Sequence, residues 1–376
     1  MALDDTPNLL VRLAPPYPDL PTLGSDSEIS LLVAAGADSA SMEDLLARIG
    51  ADRVFPGDGN VLRVAGTLGR LLAGIQDDSR EAATSPTRGA LRDLLGHLRD
   101  PAPSLRVGGQ VWGFGQRTYL MGIVNVTPDS FSGDGVGSDP AAAAERAQRL
   151  VAEGADAIDL GGESTRPGHA EVEAGEEIGR VIPALKLIAG ELGVPVFVDT
   201  SKAAVARAAL VAGADGINDI WGLRRDPEMA AVVAAAKVPV ICMHNQIGHE
   251  YSDLMGELLS HLQGSLHLAQ TAGIPRDLVL LDPGIGFGKT PAQNYEVLRR
   301  LIELRTLGCP VVVGTSRKSL VGWVLDERPV EGRLLGTAAT VAWSVGGGAD
   351  VVRVHDVAQM RDVVRIIDVM ARRPPS

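Results

Sequence analysis

Of the 35 basic residues in this chain only Lys186, Lys202, Lys237, Lys289 and Lys318 are lysines, so arginine serves wherever a generic positive charge will do. Lys318 lies in Gly314-Thr315-Ser316-Arg317-Lys318-Ser319, where a β-branched run hands over to a helix. That junction suits an anion or a polar ligand edge, because backbone N–H groups and a cation converge there. Further on stands Val352-Arg353-Val354-His355-Asp356. Arg353 and His355 are two apart and project to one side of a strand. An inward arginine between valines is costly unless an anion pairs with it, and a phosphate or diphosphate would do so. Asp159, Asp199 and Asp282, with the amide of Asn218, also end β-branched runs. Such oxygens can hold a hard cation or accept hydrogen bonds from the N–H and amino groups of a nitrogen-rich heterocycle. A plainer account exists for Asp199, as a helix N-cap before Thr200-Ser201-Lys202.

Asp282-Pro283-Gly284-Ile285-Gly286-Phe287-Gly288-Lys289-Thr290 imitates a phosphate-binding P-loop, but Pro283 occupies the position where that loop needs its first glycine. What remains is a carboxylate at a strand end and a glycine loop that lets backbone approach a ligand. Lys289 reads either as part of that loop's chemistry or as a surface charge at a helix start.

Eight short runs would position these residues: Tyr119 to Asn125, Asp156 to Gly161, Val194 to Asp199, Asp215 to Asp219, Val238 to His244, Leu278 to Asp282, Pro310 to Gly314 and Asp350 to His355. Between them lie alanine-rich helical stretches, from Pro140 to Glu153 through Pro291 to Thr306 to the last, Val357 to Arg372. The alternation predicts an α/β fold, a (β/α)8 TIM barrel, whose C-terminal strand ends form the ligand-binding rim. Residues 1–104 contain no lysine and are punctuated by proline; they predict an additional small N-terminal α/β domain, with the barrel over 105–376. Its elements are Leu9 to Leu13 and Val61 to Val64 as strands, with Ser41 to Ile49, Gly66 to Ile75 and Arg88 to Leu98 as helices. Leu105 to Phe114 is predicted as a hairpin plugging the barrel floor.

A length of 376 residues accommodates a barrel of about 250 residues and a smaller unit. The 45% apolar content allows a large core, and the net charge of −12 argues against nucleic acid or a basic membrane-surface patch as partner. There is no signal-like start and no run long enough to span a bilayer. Cys242 and Cys309 have no paired spacing, so a reducing, cytoplasmic setting and small-molecule work are expected.

From about residue 105 onward the chain resembles dihydropteroate synthase, the folate-pathway transferase inhibited by sulfonamides. The resemblance is carried by Met121-Gly122-Ile123-Val124-Asn125-Val126-Thr127-Pro128-Asp129-Ser130-Phe131-Ser132, by Asp159-Leu160-Gly161-Gly162-Glu163-Ser164-Thr165-Arg166-Pro167-Gly168, by Val198-Asp199-Thr200-Ser201-Lys202, by Ile217-Asn218-Asp219, by the Asp282 to Lys289 loop, by Ser316-Arg317-Lys318-Ser319 and by Arg353-Val354-His355-Asp356, in that order. It implies condensation of 7,8-dihydropterin-6-ylmethyl diphosphate with p-aminobenzoate, by an SN1-like course. It also implies that Asp199, Asn218, Asp282 and Lys318 hold the pterin, with Asp159 in support and Met243 and Phe287 bounding the pocket. Asn125, Arg353 and His355 would bind the diphosphate, with Mg²⁺ on Asn125. Phe131, Thr165, Arg166 and Pro167 would close over p-aminobenzoate, whose carboxylate Ser319 would receive. Lys318, Arg353, His355 and Asp159 would carry the catalysis, in a homodimer. Two departures are visible: Gly133 separates Phe131-Ser132 from Asp134, and the fifth run continues Met243-His244-Asn245-Gln246-Ile247-Gly248. A pterin-dependent methyltransferase and a catalytically silent pterin-binding regulatory barrel are the alternatives. The first has no use for Arg353 and His355; the second is suggested only by the unexplained N-terminal region.

Overall fold

The computed structural model describes residues 11–14, 28–34, 46–47, 51–56, 61–77, 86–100, 102–127, 139–163 and 172–372. The N-terminal part holds four antiparallel strands, β1 (Val11–Ala14), β2 (Glu28–Ala34), β3 (Arg53–Pro56) and β4 (Val61–Thr67), in the order β1-β2-β4-β3. The sequence reading expected two strands here and missed β2 and β3. In β2 the alternate residues Ile29, Leu31 and Val33 are buried, the period-2 signature of a strand with one face on a core. Helices Leu68–Asp77 and Pro86–Arg99 cover that face through Leu68, Leu71, Leu91 and Leu95. Of the expected strand Leu9 to Leu13, residues 9 and 10 lie outside the described residues, as does most of the expected helix Ser41 to Ile49.

The strands β7 (Tyr119–Asn125), β8 (Ala157–Gly161), β9 (Val196–Asp199), β10 (Gly216–Asp219), β11 (Val240–Met243), β12 (Val279–Asp282), β13 (Val312–Val313) and β14 (Val351–Val354) form one parallel sheet. β14 pairs with β7, and a bridge between Leu281 and Val311 joins β12 to the chain entering β13, closing the barrel. All eight expected strands are present, trimmed by a residue or two. Local signals set the helix ends: Asp139 accepts from the Ala141 N–H at 2.9 Å before Pro140, and Thr290 forms a capping box with Gln293.

The expected helix Pro291 to Thr306 stops at Arg299 and continues as a 3₁₀ segment, Leu301–Leu307. The tighter winding lets neighbouring residues serve two cores. Leu301, Leu304 and Leu307 pack into the barrel, whereas Ile302 packs into the N-terminal cluster. The His97 ring nitrogen Nδ1 lies 2.8 Å from the Thr306 carbonyl beside this seam.

The short hairpin of β5 (Leu105–Val107) and β6 (Gln110–Trp112) seals the barrel floor, as expected. Leu105, Val107, Trp112 and Phe114 pack on Tyr119, Met121, Ala157, Phe197, Ile241, Leu280, Val312 and Val351. Trp112 stacks on Tyr119 with ring centroids 4.4 Å apart. The alternate residues of the same strands, such as Leu120, Ile158, Val198, Cys242 and Val352, face the surrounding helices. Parity therefore decides what points inward. Continuing the inward set upward from the floor residues gives Asn125, Asp159, Asp199, Asn218, Met243, Asp282 and Arg353.

A polar cup at the barrel mouth

Strand register brings these residues to neighbouring levels. Asp199 is opposite Gly161 on one side and Asn218 on the other, Met243 is opposite Asp282, and Arg353 is opposite Met121. Asp159, Asp199, Asn218 and Asp282 are all buried, Asp159 completely. The Asn218 amide donates to Asp159 Oδ2 at 3.2 Å. Arg353 donates through Nε to Asp159 and through Nη2 to Asp199 Oδ2 at 2.9 Å.

This arrangement differs from the sequence expectation, which left Arg353 for a phosphate or diphosphate. With seven other strands around it, the arginine reaches the carboxylates of β8 and β9 and meets its electrostatic need within the protein. Asp199 Oδ1 is buried and has no hydrogen-bond partner among the described residues. Burial, reinforced by the negative charge of Asp159, pushes the Asp199 carboxyl up to about 8, and Arg353 offsets only part of the rise. Asp199 is not the cap of the helix that follows: Asp226 Oδ2 accepts from the Ala203 N–H at 2.8 Å instead.

Asp282 accepts from the Gly284 N–H at 2.7 Å, and burial raises its pKa against the opposing pull of Lys318. Lys318 donates to the Ile285 carbonyl and stands 4.7 Å from the centre of the Phe287 ring. Burial lowers its pKa to about 8, with Asp282 working in the other direction. The side chain crosses Gly286, where a Cβ would approach Lys318 Cδ to 3.0 Å while the backbone holds φ at +86°. Met243 is buried in the same wall, and Phe287 is half-buried.

On β14 and the loop before it, Ser316 Oγ lies 3.0 Å from His355 Nδ1 and fixes the ring. Arg317 and Asp356 form a two-bond ion pair that ties the loops after β13 and β14 together. Ser319 is the exposed first residue of a short helix, Ser319–Val324, the helix expected after this junction. Asn125, at the end of β7, is half-buried, and its side chain has no hydrogen-bond partner among the described residues. Among the described residues no group of three or more His, Cys, Asp or Glu could hold a metal ion. A neutral amide oxygen nonetheless fits an ion such as Mg²⁺, which is customarily bound by one or two protein oxygens together with substrate phosphates and waters. Phe131, Asp134, Thr165, Arg166 and Pro167 lie outside the described residues.

The sequence reading did not assign a role to two further charged groups. Lys202 pairs with Glu163 at 2.5 Å and with the fully buried Glu177 at 2.6 Å, while Glu163 accepts from the Val172 N–H at 2.9 Å. Lys289, which could have been a surface charge, is only 5% exposed. Lysine scarcity could have found both.

A family model described as pterin binding enzyme matches residues 121–355. A dihydropteroate synthase of Clostridium beijerinckii is 45% identical over 270 residues, covering 72% of this chain and 100% of the relative. A crystal structure of dihydropteroate synthase from Clostridium difficile in the presence of pteroic acid superposes with a TM-score of 0.66 at 47% identity, covering 69% of this chain and 99% of that one. The Xanthomonas albilineans dihydropteroate synthase with 4-aminobenzoic acid gives a TM-score of 0.68 at 40% identity, covering 72% and 98%.

Proposed function

The chain belongs to the dihydropteroate synthases of the pterin binding enzyme family, and we propose that its barrel mouth joins 7,8-dihydropterin-6-ylmethyl diphosphate to p-aminobenzoate, yielding 7,8-dihydropteroate and pyrophosphate. The single observation that carries this reading is the unsatisfied, buried Asp199 Oδ1 beside Asp159, Asn218, Asp282 and Lys318. A pterin ring offers N–H and amino donors to the carboxylates and an acceptor edge to Lys318. Met243 and Phe287 bound its faces. Buried polar groups without partners penalise an empty or mismatched cup, so ring recognition by Asp199, Asn218 and Asp282 gains specificity from the same desolvation.

The reaction breaks the bond between the pterin methylene carbon and the diphosphate oxygen, and the electron pair leaves with diphosphate. Arg353 would exchange its bond to Asp199 for one to the leaving group once ring donors occupy that carboxylate. His355, held by Ser316, donates from its other ring nitrogen. Both act where negative charge develops. Asn125 would hold Mg²⁺ through its side-chain oxygen together with the diphosphate, and the ion supplies further neutralisation of the leaving oxygens. The buried carboxylates Asp159, Asp199 and Asp282 favour positive charge on the methylene. The amine nitrogen of p-aminobenzoate then forms the new C–N bond and sheds a proton. Phe131, Thr165, Arg166 and Pro167 would enclose p-aminobenzoate and exclude water, and Ser319 would receive its carboxylate at the start of the short helix. No protein nucleophile is required.

Residues 1–104 are proposed as a small added domain that supplies no chemistry and docks through Ile302 and His97. Exposed apolar side chains on the last two long helices, Leu335, Trp343, Ile366, Val369 and Met370, support a homodimer. Among the described residues no helix is long and apolar enough to cross a membrane, and the free, buried Cys242 and Cys309 support a cytoplasmic setting. Incubation with the pterin diphosphate, p-aminobenzoate and Mg²⁺ is expected to give dihydropteroate and pyrophosphate in equal amounts. Release of pyrophosphate without the coupled product, or methyl transfer to a corrinoid, would refute the assignment.

A further inference from the structure

The glycine loop after β12 carries two atoms groups that locate Lys318, the Ile285 carbonyl and the Phe287 ring. In this loop Gly284 and Gly286 sit in the left-handed region at φ +68° and +86°, and their N–H groups donate to Asp282 at 2.7 Å and Asn294 at 2.6 Å. Lys289 returns beneath it. Its Nζ donates to the Phe287 carbonyl at 3.0 Å, to the Gly284 carbonyl at 3.1 Å and to His244 Nδ1 at 2.9 Å. Burial lowers the Lys289 pKa to about 7, with Asp282 pulling the other way; as an ammonium the group has three hydrogens and meets three acceptors. None is left for a phosphate, so the resemblance of Gly288-Lys289-Thr290 to a phosphate loop has no counterpart in the bonding.

His244 suits its part. Burial, then the positive charge of Lys289, pushes its pKa far below the usual histidine range, so the ring is neutral. With Lys289 donating to Nδ1, the ring proton is assigned to Nε2. The His244 N–H bonds the Asp282 carbonyl at 2.9 Å, which ties this acceptor to the strand end that bears the ring-binding carboxylate. No carboxylate forms an ion pair with Lys289 among the described residues. A buried ammonium without one costs stability, and the three acceptors it satisfies offset part of that cost. In a chain with only five lysines, this one stands beneath the loop whose Ile285 carbonyl and Phe287 ring meet Lys318.

We propose that Lys289 is a positioning residue for the pterin ring: by fastening the Gly284 and Phe287 carbonyls to His244 it sets where Lys318 and Phe287 stand, and so sets the affinity for pterin diphosphate without touching it. The inference rests on the reading of the mouth as a pterin site. In the full-length chain, Lys289→Met is expected to raise KM for the pterin diphosphate about tenfold to a hundredfold, the scale of a misplacement of about 1 Å. KM for p-aminobenzoate should stay within about twofold, while the melting temperature should fall because His244 Nδ1 and the two carbonyls lose a donor. Lys289→Arg should resemble Lys289→Met, because a planar guanidinium cannot aim three donors from one nitrogen. Should either variant fail to fold, His244→Gln alters the third acceptor and is expected to raise the same KM about threefold, roughly the worth of one hydrogen bond. An unchanged pterin diphosphate KM, or equal rises in both KM values, overturns the proposal. Failure of the parent chain to form dihydropteroate would instead count against the function itself.

Discussion

Replacing Arg353 by methionine removes the countercharge of two carboxylates at once. The arginine side chain is 18% exposed and its partners Asp159 and Asp199 are 0% and 5% exposed, so solvent screens these pairs little. Breaking a buried pair by deleting one partner costs about 3–5 kcal/mol. The cost should depend on pH, because Asp199 is held near 8 by burial and by Asp159 even with the arginine present. A carboxyl whose pKa is raised by folding keeps a proton that the unfolded chain has released. Stability is therefore lost as pH rises from about 4 to about 8 in the parent. In Arg353→Met the Asp199 pKa rises further and the loss extends to higher pH. At about pH 6 Asp199 is protonated in both proteins and the deficit reflects chiefly the pair with Asp159. At about pH 9 it should be larger by about 1–1.4 kcal/mol, because a rise of one to two units above the parent value near 8 is expressed only over the unit between 8 and 9, at 1.36 kcal/mol per unit. Urea unfolding followed by far-ultraviolet circular dichroism at the two pH values measures this difference. At saturating substrates turnover should fall about 10²- to 10³-fold, as for loss of one preorganised donor to a developing anion. An equal deficit at both pH values would falsify the claim that Arg353 is the countercharge of Asp199.

Lys318→Ala should weaken pterin binding by about 1.5–3 kcal/mol, the value of a charge-assisted hydrogen bond, and leave KM for p-aminobenzoate near its parent value; steady-state kinetics checks both. Pterin binding near pH 7 should release protons, because ring N–H donors favour the ionised form of Asp199 and lower its pKa from about 8. Affinity should then climb with pH up to about 8 and fall beyond it as Lys318, also near 8, loses its proton. Titration calorimetry in buffers of different ionisation enthalpy detects the exchange, and buffer-independent heats would contradict it. Trp112→Ala, in the floor, should cost about 3–5 kcal/mol in urea unfolding while both KM values stay unchanged.

The barrel was legible in the sequence because its signals are local: β-branched runs, glycine returns and polar strand ends recur eight times. Parity along each strand then dictates which of those polar ends face inward. The N-terminal sheet was harder to read. β2 presents a strand pattern, but its pairing with β1 and β4 joins residues far apart in the chain. The break at Arg300 could not be foreseen, since it arises from Ile302 and Leu304 serving different cores. At the site, the identities of Asp199, Asn218, Asp282 and Lys318 could be read, whereas the bonds of Arg353 to Asp159 and Asp199 could not. They span 194 and 154 residues and depend on strand order around a closed ring. The role of Lys289 was undecided for the same reason: its acceptor on His244 is 45 residues away.

With the floor sealed by the hairpin, the described residues leave the rim as the way to the inward carboxylates. Under the proposed reaction pterin diphosphate, p-aminobenzoate and departing pyrophosphate would share that passage. Added pyrophosphate should then slow the enzyme by contesting the incoming pterin diphosphate.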